Sequence, residues 1–155
     1  MSVSSSIAIK KKLFTYCEEQ VNESISILRG ALNDSQESAN SETKGSAGDK
    51  HETGRAMMHL ENEMNAKQLA ERVKLAEVLQ RIDPEEKHDI VQLGSLVICS
   101  NGNYFISIAI GKTELNGALY LLISPASPIG ALLMNKKEGD VFNFNGKSIK
   151  IESVL

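Results

Sequence analysis

The chain has 155 residues, enough for one ordinary domain or two small ones, and its 41% apolar content is enough to bury a core. Aromatic residues make up only 5%, with no tryptophan, which argues against a large aromatic binding pocket. Seventeen Lys and Arg against twenty Asp and Glu give a formal net charge of −3, without the basic bias of a module that grips naked nucleic acid.

No GxGxxG or GxxxxGK[ST] loop is present, which argues against a nucleotide-binding α/β enzyme. No run reaches the roughly 18 apolar residues that a membrane span needs. At the N-terminus Lys10, Lys11 and Lys12 follow Ile7 and Ile9, the reverse of a secretory signal. Cys17 and Cys99 lie in unlike segments without CxxC spacing and read as buried thiols of a cytoplasmic protein, not a disulfide or zinc site.

Phe14, Cys17, Val21, Ile25, Leu28 and Leu32 are spaced 3, 4, 4, 3, 4. That is the seam of an amphipathic helix packing along its length on a partner, and Ser35 and Ala39 carry the phase towards Thr43. Lys44 to Asp49 is a glycine-bracketed turn. A second seam follows: Met57, Leu60, Met64, then Leu69, Val73, Ala76 and Leu79 or Gln80, with a one-residue slip after Met64. Residues 1–82 therefore read as an antiparallel coiled-coil hairpin with its tip near 44–49. At a rise of 1.5 Å per residue, a first helix of about 35 residues makes it roughly 50 Å long. Lys10 to Lys12 read as a solvated face.

Pro84 ends the second helix, because proline disfavours helical geometry in the residue before it, and 83–90 read as a linker. Residues 91–155 carry strand signals: Leu96–Cys99, then Asn101-Gly102 as a hairpin signal, then Tyr104–Ile110. Leu119–Ile123 is a near-continuous apolar strand. Val141–Asn145 alternates, Asn145-Gly146 marks another hairpin, and Ser148–Val154 closes the chain. Between them Ser127 and Pro128 suit the N-cap and first position of a short helix through Met134. The expectation is α+β: a helical hairpin, then four or five antiparallel strands with one helix.

Ser124-Pro125-Ala126-Ser127-Pro128-Ile129-Gly130-Ala131-Leu132-Leu133, followed by Asn135-Lys136-Lys137-Glu138-Gly139-Asp140, resembles the C-terminal signature of the Gre transcript cleavage factors of bacterial RNA polymerase. In that family a Ser-Pro-Ile segment opens a short helix, and a Lys/Gly-rich turn ending in Gly-Asp introduces the last hairpin. The resemblance covers residues 90–155 firmly and the helical half weakly. It implies an FKBP-like C-terminal domain that docks on the polymerase, here through Ser127, Pro128, Ile129 and Gly130. It also implies a coiled coil that enters the secondary channel, where tip acids help hold a Mg²⁺ ion shared with the polymerase and stimulate cleavage of backtracked RNA. A donated carboxylate pair suffices, because Mg²⁺ takes one or two protein carboxylates and leaves its other positions to water and phosphate.

The family's Gly-Asp followed three residues later by Glu corresponds to Gly48-Asp49-Lys50-His51-Glu52, so the resemblance assigns Asp49 and Glu52 to that catalytic and metal role. The spacing alone fits a second reading, since Asp-x-x-Glu at a helix start is a capping box and both acids suit the positive end of the helix dipole. The family's following Asn and acid are replaced by Thr53 and Arg55, with Gly54 between them. The chain thus reads as a cytoplasmic, monomeric polymerase-binding elongation factor. It would not be an enzyme in itself, would not bind DNA independently, and would hold no metal stably alone. Two alternatives remain: a channel-occupying regulator that does not stimulate cleavage, and a coiled-coil adaptor that self-associates through the Phe14–Leu32 seam. His51 and His59 with Glu52 or Glu63 lack zinc-site spacing, and no GxSxG marks a nucleophile.

Overall fold

A 3–4 apolar spacing sustained over five turns commits the N-terminal segment to one long helix. A computed structural model describes the backbone of residues 3–42 and 48–155 and the side chains of residues 5–34 and 53–155. Helix α1 (Val3–Glu42) is followed by α2 (Gly48–Gln80). Of the expected tip, 44–47 lie outside the described residues, and Gly48 and Asp49 open α2.

Along α1, Cys17, Val21, Ile25 and Leu28 are buried, while Phe14 and Leu32 are half-buried. The same spacing continues backwards through Leu13, Lys10 and Ser6, all buried, so Lys10 belongs to the interior rather than to a solvated face. The reason is periodic: positions 6, 10, 13 and 17 share one side of a helix whatever their polarity.

Along α2 the expected seam is corrected. Met57, Leu60 and Met64 are 66%, 62% and 63% exposed. The residues withdrawn from solvent run through Gly54, Met58, Asn62, Asn65, Leu69, Val73 and Ala76 to the buried Leu79, with Leu75 and Val78 half-buried beside them in the last turns. No slip occurs. The apolar half from Leu69 to Leu79 sets the phase, and a continuous helix carries that phase back onto two asparagines.

By internal contacts the chain divides into two units, Met1–Glu18 with Val78–Leu155, and Glu19–Glu77. The division differs from the expected 1–82, 83–90 and 91–155, because the first turns of α1 and the segment 83–90 group with the sheet.

The sheet comprises β1 (Leu96–Cys99), β2 (Gly102–Ile106), β3 (Gly111–Leu115), β4 (Ala118–Ile123), β5 (Val141–Phe144) and β6 (Lys147–Val154), in the order β3-β4-β2-β1-β6-β5. The short helix α3 (Pro128–Leu133) sits between β4 and β5 in sequence. The architecture is α+β: two N-terminal helices followed by a six-stranded sheet. It is not wholly antiparallel. β2 and β4 run parallel, with Asn103 opposite Tyr120 and Ile106 opposite Ile123.

The cause is β3, a strand absent from the sequence reading. The expected strand 104–110 stops at Ile106. The chain then passes to the sheet edge as β3 and turns back through Asn116 and Gly117, both at positive φ (53° and 80°), into β4 beside β2. Lys112 and Glu114 suit an edge, whereas Leu119 to Ile123 needs an interior position. Asn145 and Gly146, at φ 52° and 77°, make the expected two-residue turn between β5 and β6.

One side of the sheet buries Val97, Tyr104, Ile106, Phe142, Ile149 and Ile151 with Leu133 of α3. The other carries Leu96, Phe105 and Leu122, which are successive cross-strand partners. On α1, Cys17 reaches Ser107 (Sγ to Oγ 3.6 Å), and Ile9 shares a 360 Å³ cleft with Tyr120. Burial pushes the Cys17 thiol up to about 11 and the Cys99 thiol up to about 12, so both stay protonated and inert at neutral pH. No helix among the described residues is long and apolar enough to cross a membrane.

Candidate functional site

The acids assigned by resemblance, Asp49 and Glu52, lie in the opening turns of α2. Their side chains fall outside the described residues, as does His51. Immediately beyond them Thr53 and Arg55 are exposed and Gly54 is half-buried. Further along, the exposed Met57, Leu60 and Met64 recur at three- and four-residue intervals on one side of α2. Among the described residues no group of three or more His, Cys, Asp or Glu is placed to hold a metal ion.

The Ser127–Gly130 motif is built around one hydroxyl. Ser127 Oγ accepts from Gly130 N–H at 3.1 Å, capping α3, and donates to the Ser124 carbonyl at 2.7 Å. Pro128 takes the first helical position, where its missing N–H costs nothing. Gly130 is glycine for lack of room: a Cβ there would collide with the Ser124 carbonyl oxygen and sit 2.7 Å from Ser127 Oγ. Ile129 packs half-buried against the core, so of these four residues Pro128 is the exposed one, joined on the surface by Ala131 and Leu132.

The turn that follows is equally determined. Asp140 Oδ2 accepts from Lys137 N–H at 2.9 Å, and Gly139 adopts φ 90°, which favours glycine. Gly139 N–H and Asp140 C=O pair with Ile151 at 2.8 Å each, which aims the chain into β5. Asn135 N–H and Lys136 C=O pair with Val91, tying the end of α3 to the segment that precedes β1.

A second polar group, missed in the sequence, lies inside the sheet unit. Lys10 is wholly buried, and its Nζ donates to the Glu86 carbonyl at 2.6 Å. Burial brings its ammonium down from 10.5 to about 8, an effect partly offset by the carboxylates of Glu86 and Asp83. Beside it His88, also buried, places Nδ1 2.7 Å from Ser95 Oγ, and Ser95 Oγ accepts from Gln92 N–H at 3.0 Å. Burial first, and the Lys10 charge second, hold the imidazole below its usual 6.5, against an opposing pull from Glu86. The available signal for Lys10 was its phase, three residues before Leu13 and seven before Cys17.

The chain matches no protein-family model and no curated protein.

Proposed function

We propose that this chain is an RNA polymerase accessory factor of the Gre type. In this reading the two long helices form an antiparallel coiled coil that enters the secondary channel, and the sheet unit is an FKBP-like domain that docks on the enzyme. The observation that carries the reading is the unbroken unit from Ser124 to Asp140, in which a Ser127-capped helix, a sterically required Gly130 and a Gly139-Asp140 turn lead into the last hairpin. The exposed docking contribution comes from Pro128, with Ser127, Ile129 and Gly130 shaping the helix that presents it.

Asp49 and Glu52 are the residues that would hold a Mg²⁺ ion shared with the polymerase. Such an ion activates water for phosphodiester hydrolysis and stabilises the displaced oxygen. Two carboxylates three residues apart on a helix share a face, which is what one cation requires of them. Acting only within the polymerase site, the protein is not an independent enzyme and works in the bacterial cytoplasm.

Arg55 favours a second reading, a channel-occupying regulator without cleavage activity, because it sets a positive charge one turn beyond Glu52. The adaptor reading loses support, since Cys17, Val21, Ile25 and Leu28 are already buried within a single chain. The test is shortening of RNA in a stalled, backtracked elongation complex at fixed Mg²⁺. Stimulation that is lost in Asp49→Ala/Glu52→Ala is the expected result. Competition with an authentic channel-binding factor without stimulation would establish the second reading, and neither effect would remove the polymerase from the account.

A further inference from the structure

The first turns of α1 and the β3–β4 hairpin, both within the sheet unit, enclose the cleft of 360 Å³. Its volume is that of a small-ligand site, at the lower end of the range for such pockets. The walls are apolar: Ile9 comes from α1, and Leu115 and Ala118 face each other across the hairpin. The ring of Tyr120 extends them from the next position of β4 on the same side.

The polar groups of the cleft are few and uncommitted. Lys12 is exposed and forms no ion pair with any described residue, and it is the one charged residue among the described residues of the lining. Asn116, in the turn of the hairpin, is also exposed, and its side-chain amide has no partner among the described residues. Tyr120 is only 2% exposed, yet its hydroxyl bonds to no described residue. A buried hydroxyl without a partner is costly and calls for an explanation. This one is not sealed in. Among the described residues the only sealed side-chain oxygen or nitrogen without a partner is Asn62 Oδ1. The Tyr120 hydroxyl therefore opens on space, and the space that Tyr120 lines is the cleft. Burial raises the phenol above its usual 10, so at neutral pH it is a hydrogen-bond donor.

We propose that this cleft binds a small monocarboxylate with a short apolar tail, its carboxylate taken by the Lys12 ammonium and the Tyr120 hydroxyl and its tail laid along Ile9, Leu115 and Ala118. Charge sets the sign of the ligand, because one cation and no acid lines the cleft. It also sets the valence, since a phosphate dianion draws on a guanidinium fork or several charged donors. Ser5 adds the first turn of α1, where the positive end of a 40-residue helix also favours an anion. The site is independent of the polymerase reading.

Backbone amide shifts of the full-length protein, followed by NMR during titration with sodium butyrate, hexanoate and octanoate at pH 7, test the site. Octanoate is expected to move the amides of Ala8, Ile9 and 116–118 together, with a dissociation constant of about 1 mM. Each buried methylene tightens binding by up to about fourfold, so hexanoate should follow octanoate and butyrate should trail both. Octan-1-ol keeps the tail without the charge and should bind about fivefold more weakly, whereas octylammonium, repelled by Lys12, should fall further behind. Lys12→Gln and Tyr120→Phe both leave the apolar walls in place, and each should weaken octanoate about fivefold. The comparison of ligands on the wild type stands apart from the folding of either variant. Unmoved amides at 8–9 and 116–118, octylammonium binding as tightly as octanoate, no gain with chain length, or wild-type affinity in either variant would overturn the site.

Discussion

Replacing Gly130 with alanine isolates the contact on which the Ser124–Leu133 motif depends. In an unobstructed helix this change is favourable by up to about 1 kcal/mol, because glycine loses the most backbone freedom on folding. At this position the new methyl meets the Ser124 carbonyl oxygen, which is backbone and cannot swing aside, and lies 2.7 Å from Ser127 Oγ. Overpacking of this kind costs about 1–3 kcal/mol, and displacing the cap costs a further ~1 kcal/mol. The net expectation is a loss of about 2 kcal/mol. For a unit of this size each kcal/mol is worth about 4–8 °C, so calorimetry should show a midpoint lowered by about 10 °C. Ser127→Ala alone removes the cap and should cost only ~1 kcal/mol. Adding Gly130→Ala to it should still destabilise, because the carbonyl obstacle remains when the hydroxyl is gone. A Gly130→Ala protein that melts at or above the wild-type temperature would refute the steric account of this glycine.

Two further outcomes follow from buried polar groups. Asn62 Oδ1 is buried with no hydrogen-bond partner among the described residues, so Asn62→Leu should raise the thermal midpoint by a few degrees, corresponding to ~1 kcal/mol of relieved desolvation. A lower midpoint would mean that the amide has a structural role. Lys10, brought down from 10.5 to about 8, gives up its proton in the folded state first. Between those values the unfolded chain holds more protons, and stability rises with pH. The buried Cys17 and Cys99 thiols, raised to about 11 and 12, act in the opposite sense above about pH 8.5, so the Lys10 contribution is read as a difference: the urea midpoint of the wild type relative to Lys10→Met should climb from pH 7.5 to 9.5. A difference that stays level or falls over this interval would contradict burial of the ammonium.

Much of the local structure was readable because local chemistry decides it. The Ser127 cap with Pro128 behind it, and the Asn145-Gly146 turn, depend on residues within four positions of one another. Asn116-Gly117 carried the same hairpin signal and was passed over, which lost β3 and with it the parallel β2–β4 pairing. Glycine and asparagine mark where a turn falls but not which strand the returning chain will lie beside. For the tip acids the sequence supplied identity and spacing alone, and capping and metal binding use the same Asp-x-x-Glu arrangement.

The sequence by itself determined where the helices run, the phase of α1 and the residues of the Ser124–Asp140 motif, since periodicity, capping and turn preferences act over a few residues. Tertiary structure decided the rest. Which side of α2 is covered depended on the apolar stretch from Leu69 to Leu79, which drew Asn62 inward and left Met57, Leu60 and Met64 outside. Lys10 became an interior residue because the sheet and the 83–95 segment close over the first turns of α1, and it meets Glu86 across 76 residues of sequence. Residue type sets the energetic cost of burial, but only the complete arrangement of contacts sets which residues must bear it.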